Sequence, residues 1–84
     1  EVANSLIATG CFIEGQVENS ILFRGVKVHK GAQIKNSIIM QKCEIGPNVI
    51  LDHVICDKDV FISGNKQLKG EDKYPIVIRK GQVI

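Results

Sequence analysis

Two consecutive stretches decide the fold: residues 17–34, VENSILFRGVKVHKGAQI, and residues 34–51, IKNSIIMQKCEIGPNVIL. In both stretches the apolar residues follow one another at steps of 4, 2, 3, 2, 4 and 2. They are Val17, Ile21, Phe23, Val26, Val28, Ala32 and Ile34, then Ile38, Met40, Cys43, Ile45, Val49 and Leu51. A helix would give steps of 3 and 4, and a single strand steps of 2. The pattern therefore predicts short strands joined by tight corners.

The motif Asn-Ser followed by two apolar residues recurs along the chain. It occupies residues 4–7, 19–22 and 36–39, and a degenerate copy at 52–55 has His53 in the asparagine place. Repeats of this kind are typical of solenoids. Three strands per repeat predict triangular coils, and the interval from Asn4 to Asn19 makes the first coil shorter than the next, from Asn19 to Asn36. We expect an all-β, single-stranded parallel β-helix of hexapeptide repeats with about four coils.

Stacked coils bring equivalent residues into columns about 4.8 Å apart. The predicted interior columns are Ile13, Val28, Ile45 and Ile62, and Cys11, Val26, Cys43 and Val60. Outside, Glu18, Lys35 and Asp52 alternate in charge, and Asn19 and Asn36 are placed to form an amide ladder. The corners need residues that tolerate left-handed backbone, and the candidates are Gly10, Asn19, Gly25, Gly31, Asn36, Gly46 and Asn48.

The regular pattern ends after Ile62. We expect β-helix coils over residues 1–62, a polar loop over 63–75 and a closing strand over 76–84. By the spacing above, Asp57 falls in the column of Phe23 and Met40. A lone carboxylate is costly inside a protein, so the wall is expected to open there.

Composition restricts the function classes. The 84 residues carry a net charge of +2, too little to favour nucleic acid or a membrane surface as a partner. Three cysteines give an odd count without a CxxC pair, which predicts neither a disulfide framework nor a zinc site. Cys11 and Cys43 are expected to be buried, and Cys56 to point outward or into a neighbour. Without an initiator Met or a signal peptide, the chain is expected to be a piece of a longer cytoplasmic protein.

Several phrases carry a family resemblance: Val17–Leu22, Ile34–Met40 and Val54–Val60, the last with its Asp-Lys-x-Val run. They resemble the C-terminal β-helix of bacterial glucose-1-phosphate adenylyltransferase (ADP-glucose pyrophosphorylase). The phrases at 20–28 and 75–81 are more similar to the D-type, glycogen-biosynthesis subunit than to the catalytic C-type subunit. The likeness covers essentially the whole chain.

The resemblance implies a left-handed coil and a preceding nucleotidyltransferase domain that binds ATP, magnesium and glucose 1-phosphate. No cofactor or metal is expected in the present chain. The implied partners are its own N-terminal nucleotidyltransferase domain and other subunits, in a homo- or hetero-oligomer with the catalytic subunit. The implied role is assembly and allosteric control in glycogen biosynthesis, and the chain itself is expected not to be catalytic.

The runner-up hypothesis is a fragment of a hexapeptide-repeat acyltransferase, an enzyme class that uses a catalytic histidine between subunits. The two histidines, His29 and His53, fall at ordinary outward positions, so solvent-exposed and non-catalytic roles are expected.

A second candidate site consists of outward basic residues that could converge on a phosphorylated effector, because anions are bound by several cations together. The alternative is a solvated surface. The candidate effector contacts are Arg24, Lys27, His29, Lys30, Lys35, Arg79 and Lys80.

Overall fold

The computed structural model describes all residues from Glu1 to Ile84 and consists of short strands and turns, without a helix. No segment therefore forms a helix long and apolar enough to cross a membrane. The strands are β1 (Val2–Ala3), β2 (Leu6–Ile7), β3 (Phe12–Ile13), β4 (Gln16–Glu18), β5 (Ile21–Leu22), β6 (Lys27–Val28), β7 (Gln33–Lys35), β8 (Ile38–Ile39), β9 (Glu44–Ile45), β10 (Ile50–Asp52), β11 (Val54–Cys56), β12 (Phe61–Ile62), β13 (Gln67–Lys69) and β14 (Ile76–Ile78).

Every third strand pairs with its counterpart in the next coil, which gives three parallel sheets. Sheet A has the order β1-β4-β7-β10-β13, sheet B the order β2-β5-β8-β11-β14, and sheet C the order β3-β6-β9-β12. All strand pairings are parallel. The predicted all-β parallel β-helix of about four coils is confirmed: four complete coils of three strands are followed by a partial fifth coil that contains β13 and β14. The arrangement is consistent with the left-handed winding that the resemblance implies.

The register fixes the length of each coil. Val17 lies opposite Ile34 in the next coil and opposite Val2 in the coil before, so the first coil is shorter than the second, as predicted. The missing residues belong to the corner between sheets C and A. There Gly15 stands where the next coil has Lys30, Gly31 and Ala32, and a Cβ at Gly15 would lie 2.4 Å from the carbonyl oxygen of Ala32. Only glycine fits this shortened corner.

The core consists of several columns of apolar side chains inside the winding. The predicted columns are confirmed: Val28, Ile45 and Ile62 are completely buried and in register, with Ile13 half-buried at the open end. Val26, Cys43 and Val60 are buried in the second column, and Cys11 is half-buried below them.

Sheet B differs from the sequence prediction in which side chains point inward. Ser20 and Leu22 are buried, whereas Ile21 and Phe23, expected inside, are each 39% exposed. The cause is the left-handed backbone of Asn19 (φ 52°), which turns the chain so that the next side chain points inward. The buried steps are therefore 3, 2, 4, 2, 4 and 2, and the shortened step lies at the asparagine corner.

A serine is tolerated inside because its hydroxyl has partners. Ser20 Oγ donates to the carbonyl oxygen of Glu18 at 2.8 Å and accepts from the backbone N–H of Ser37 at 3.1 Å. Ser37 Oγ repeats the arrangement with Lys35 and Val54 one coil later. The two serines thus tie three coils together at no cost in unpaired polar groups.

Two further expectations are wrong because the sheet B side chains point in other directions than predicted. Cys56, expected to point outward or into a neighbour, is completely buried in the core. Asp57 does not interrupt an interior column, because it shares an outward corner column with Phe23 and Met40 and is half-exposed. The wall therefore has no need to open there.

The corner residues follow the prediction with one exception. Six of the seven candidates have positive φ, including Asn48 at 61° and Gly25 at 72°. Gly46 does not. It is buried, and a Cβ there would lie 2.7 Å from the carbonyl oxygen of Ile62, so close stacking of coils requires the glycine.

The segment expected to be a polar loop, residues 63–75, needs correction because it contains β13, which pairs with β10 and continues sheet A. The loop that leaves the stack of coils is shorter than predicted. Glu71 and Tyr74 exchange backbone hydrogen bonds in a small hairpin, residues 70–75, that projects between β13 and β14. The last strand then closes sheet B, with Ile78 buried opposite Cys56.

Candidate functional site

The outer face of sheet B carries one apolar residue from every coil. Strand register places Leu6 beside Ile21, Ile21 beside Ile38, Ile38 beside Ile55, and Ile55 beside Val77. These five residues, here called the apolar column, point to solvent: Leu6 is 68% exposed and Val77 63%, while Ile38 and Ile55 are half-buried. Since sheet B also faces the core, it is apolar on both sides.

The other two sheets lack such a face. On sheet A one outward column is charged: Glu18, Lys35 and Asp52 lie in register as the sequence predicts, and Lys69 continues the column. Sheet C presents Phe12, Lys27, Glu44 and Phe61. Strands apolar on both faces are the mark of a sheet covered on both sides. The outer face of sheet B is therefore the candidate functional surface, because contiguous exposed apolar side chains are typical of an interaction site.

Two concavities flank the apolar column. A cavity of about 490 Å³ lies beside the first three coils and is lined mainly by apolar groups, among them Phe23, together with Arg24 and Gln41. A groove of about 690 Å³ runs along the opposite side, at the corner between sheets A and B, and is mostly polar. The apolar column forms the ridge between them, since Leu6 and Ile21 line both.

The polar groove has a wall of stacked amides. Asn4 Nδ2 donates to Asn19 Oδ1 at 3.0 Å, and Asn19 Nδ2 donates to Asn36 Oδ1 at 2.7 Å. The predicted ladder of Asn19 and Asn36 is confirmed. It ends on a carboxylate, because Asn36 Nδ2 donates to Asp52 Oδ1 at 3.0 Å. The ladder stacks the asparagines at the corner where they also supply left-handed backbone.

His53 takes the next corner position and lies beside two carboxylates. Its Nδ1 lies 2.8 Å from Asp52 Oδ1, and its Nε2 lies 4.0 Å from a carboxylate oxygen of Asp72 in the hairpin. The hydrogen bond from Asn36, with the His53 ring and Lys69 nearby, lowers the pKa of Asp52 below its ordinary value. Asp52 is therefore ionised at neutral pH and holds the end of the ladder.

The histidines are less exposed than the sequence predicts. His29 Nε2 lies 2.7 Å from Glu44 Oε2 of the next coil, and the side chain is 33% exposed. That of His53 is 28% exposed. The two histidines lie at different corners, His29 between sheets C and A and His53 between sheets A and B.

The seven candidate effector contacts fall on different parts of the surface. Lys27 lies on sheet C and Lys35 on sheet A, while His29 and Lys30 lie at the corner between them. The other three share the corner between sheets B and C: Arg24 lies in coil two, and Arg79 and Lys80 lie in coil five. That corner also stacks Lys42 and Lys58, which the sequence analysis missed. Three of the seven candidates share this corner, with Arg24 three coils away from Arg79 and Lys80.

The cysteines are three free thiols. Burial raises the pKa of Cys56 to about 12 and also raises that of Cys43. Cys43 Sγ donates to the carbonyl oxygen of Asp57 at 2.9 Å. Their place is in the core, and no cluster of three or more His, Cys, Asp or Glu side chains is placed to hold a metal ion.

The apolar column was missed because sequence reasoning placed Ile21 and Phe23 inside. A signal was present: each repeat has three consecutive apolar residues on sheet B, such as Ile21-Leu22-Phe23 and Ile38-Ile39-Met40. Continuous apolar runs predict a strand covered on both faces, whereas sheets A and C alternate.

Comparison with known proteins gives one matching family model, described as "GlmU-like, C-terminal hexapeptide", over residues 1–74. The chain is 54% identical over 82 residues, 98% of its length, to the "Glycogen biosynthesis protein GlgD" of Bacillus subtilis (strain 168), of which it covers 24%. It is 35% identical over 78 residues, 93% of its length, to the "Glucose-1-phosphate adenylyltransferase" of Bacillus thuringiensis (strain Al Hakam), of which it covers 21%.

A third relative is the "Glucose-1-phosphate adenylyltransferase" of Bacillus cytotoxicus (strain DSM 22905 / CIP 110041 / 391-98 / NVH 391-98), 37% identical over 71 residues. The match includes 84% of the present chain and 19% of that protein. The chain thus spans about a quarter or less of the length of these relatives, and it resembles a domain of each.

Proposed function

Because the chain belongs to the family of GlmU-like C-terminal hexapeptide domains, we propose that it is the C-terminal β-helix of a subunit in glycogen biosynthesis. Its role is to support assembly and allosteric control of a glucose-1-phosphate adenylyltransferase, and it is not itself catalytic. The subunit works in the cytoplasm as an oligomer.

One observation carries the proposal: the identity to a glycogen biosynthesis protein is 54% over nearly the whole chain, against 35% to a glucose-1-phosphate adenylyltransferase. The difference favours the D-type subunit over the catalytic subunit. The names of these relatives also favour this function over an acyltransferase fragment. ATP, magnesium and glucose 1-phosphate are then bound by the nucleotidyltransferase domain of the parent subunit.

The allosteric part of the proposal has a physical candidate on this chain. At the corner between sheets B and C, exposed Arg24, Arg79 and Lys80 stand on one edge of the stack, with Lys42 and Lys58 between them. Coils two and five are about 14 Å apart. A small phosphate ester therefore meets only neighbouring members of the set, and the rest of the site belongs to another domain.

The experiment compares the full-length parent subunit with a version that lacks residues 1–84, each mixed with the catalytic subunit. We expect the deletion to lower the assembly mass in light scattering. We also expect it to abolish the change in ADP-glucose synthesis caused by fructose 1,6-bisphosphate or AMP. Unchanged assembly and unchanged effector response would contradict the proposal.

A matched pair of variants in the full-length subunit separates the two parts of the role. Arg24→Ala with Lys42→Ala removes neighbouring cations at the proposed corner, whereas Lys27→Ala with Lys35→Ala removes the same charge from the middle of sheets C and A. The first pair is expected to weaken the effector response and leave the assembly mass unchanged. An equal loss with the second pair would argue against a site at this corner.

A further inference from the structure

We propose that the outer face of sheet C docks against the same face of a second copy of this chain. The inference rests on the proposed function, which makes the parent subunit part of an oligomer, and it adds the face and the symmetry of one contact. Sheet C points away from the apolar column of sheet B, because the three sheets form the three sides of each coil. The two surfaces can therefore be covered at the same time.

The outward column of sheet C has aromatic residues at its ends and charges in its middle. Strand register orders it Phe12, Lys27, Glu44 and Phe61 from coil one to coil four. The rings are exposed, Phe12 to 52% and Phe61 to 39%, and Val83, which bridges to Phe61, is 75% exposed. Aromatic side chains are enriched in interfaces between proteins. Each end of the column thus offers an apolar anchor.

The two charges in the middle are available to groups outside the chain. Lys27 makes no ion pair within 4.0 Å, since the ion pairs present all involve histidine. Glu44 is held in place by His29, whose Nε2 lies 2.7 Å from Glu44 Oε2, and Glu44 Oε1 has no hydrogen-bond partner in the chain. An ammonium group and a carboxylate therefore stand on neighbouring strands, each able to accept a partner of opposite charge across an interface.

The order of the column makes it complementary to an inverted copy of itself. A two-fold axis parallel to the strands, midway between coils two and three, places Phe12 opposite Phe61 of the second copy. The same axis places Lys27 opposite Glu44 of the second copy. Each contact then occurs twice, which is the property of an isologous interface. The column therefore fits a second copy of this chain without any change of side chain.

Other symmetric arrangements of the face bring like charges together. A two-fold axis along the stack would place Lys27 opposite Lys27 and Glu44 opposite Glu44. Moving the first axis to coil two or to coil three would place one of these residues opposite its own copy. Like charges across an interface are strongly unfavourable, so the charges select one register and exclude the others.

The size of the face predicts a weak and reversible contact. Four strands spaced by about 4.8 Å span about 14 Å, and one or two outward residues per strand give roughly 300 Å² on each copy. A stable complex between separate proteins buries about 800 Å² on each side. The contact therefore depends on concentration and on whatever other contacts the parent subunit makes, and reversal of a single charge should change its strength measurably.

The experiment uses the full-length parent subunit, purified without the catalytic subunit, and measures its self-association by sedimentation velocity over a dilution series. Lys27→Glu and Glu44→Lys each place like charges opposite one another at both copies of the contact. We expect each variant alone to raise the dissociation constant at least about tenfold. An equimolar mixture of the two variants should return to within about threefold of the unaltered subunit, because unlike charges again face each other.

The mixture separates a contact between copies from an effect within one chain. Each variant also places like charges on the neighbouring strands β6 and β9, and mixing cannot repair a fold weakened in that way. A mixture that associates as poorly as its components would therefore overturn the inference. Unchanged association of either variant alone would overturn it as well, and so would an unaltered subunit that stays single at its highest soluble concentration.

Sheet A provides the matched control. Its outward column of Glu18, Lys35, Asp52 and Lys69 also alternates in charge but has no aromatic residue at its ends, and exposed ion pairs alone contribute little. Lys35→Glu reverses a charge between two carboxylates and should change the dissociation constant less than about twofold. A loss equal to that of Lys27→Glu would mean that sheet C is not the contact.

The inference and the proposed function can fail separately. If deletion of residues 1–84 lowers the assembly mass formed with the catalytic subunit while the charge reversals change nothing, the sheet C contact alone is wrong. If the mixed variants restore association while the deletion alters neither assembly with the catalytic subunit nor the effector response, the proposed function alone is wrong.

Discussion

Sheets A and B are built on the same frame, with short strands that stack in the same register from coil to coil through the centre of the molecule. Their outer faces nevertheless differ. Sheet A alternates apolar-in and charged-out, as in Ile34 and Lys35, whereas sheet B places Ile39 inside and Ile38 outside. Backbone register is common to both, so the outward side chains alone determine which sheet remains in water. The comparison shows that one backbone arrangement supports two different outer faces, a charged one on sheet A and an apolar one on sheet B.

The largest effect is expected from the two sides of sheet B. Ile39→Ala removes a completely buried side chain from the core and should lower the free energy of unfolding by about 2–5 kcal/mol. Ile38→Ala, its outward neighbour, should cost less than about 1 kcal/mol in this chain. Urea denaturation of the two variants measures the difference. Equal losses would mean that the inner and outer faces are not distinct.

A second effect concerns the thiol on the inner side of sheet B. Because burial raises the pKa of Cys56 to about 12, its thiol stays protonated and inaccessible in the native state. We expect alkylation at pH 8 to be about a hundredfold slower than at half-buried Cys11. Peptide mapping after timed alkylation checks this. Comparable alkylation rates of Cys56 and Cys11 would indicate that Cys56 points outward.

The same shift has a defined direction with pH. A thiol whose folded pKa lies above its unfolded value stabilises the fold fully below about pH 9. The contribution is lost as the pH rises from there toward 12. Cys56→Ala should therefore flatten the alkaline side of the stability curve.

The corner between sheets A and B should give a smaller change. Asn36→Ala loses the ladder contacts to Asn19 and Asp52 and puts alanine at φ 52°, so about 2 kcal/mol of stability should be lost. Asn36→Gly loses the contacts but tolerates the backbone, and about half that cost is expected. Thermal unfolding of both variants separates the cost of the left-handed backbone from the cost of the lost amide hydrogen bonds. Equal costs would assign the whole effect to the lost amide contacts.

The smallest effect is expected on the outer face of sheet A. The pKa of Asp52 is lowered, mainly by the Asn36 hydrogen bond and also by His53, so its contribution is present above about pH 4. It is lost as the pH falls through the folded pKa. The melting temperature of Asp52→Asn should therefore be lower than that of the parent chain at pH 7, and the difference should shrink at pH 3. A difference that grows in acid would reverse the sign of this contribution.

The sequence predicts most of the backbone arrangement because the geometry of the coils imposes a regular spacing on the apolar residues. The length of the repeat, the interior columns on sheet C and the left-handed asparagine corners all depend on spacing, and all are confirmed. The pairing of Glu18 with Lys35 is also in register, although no ion pair within 4.0 Å forms there and the ion pairs present all involve histidine.

The direction of the sheet B side chains could not be read from hydrophobicity. Ile21 and Leu22 are equally apolar, and choosing the buried one required the knowledge that Asn19 turns the chain and that Ser20 finds hydrogen bonds inside. A buried serine contradicts a rule that assigns apolar residues to the interior. The same error hid the apolar column, because a residue assigned to the core is not considered for the surface.

Changes in chain length are confined to the corners of this fold. The first coil is shorter at the corner between sheets C and A, and the last coil carries the hairpin of residues 70–75 between sheets A and B, while every strand keeps its register. Extra residues inserted at a corner can therefore be accommodated as a loop. A single residue added within a strand would reverse which side chains face the core, and so the corners are the sites at which new recognition loops can be grafted without rebuilding the stack.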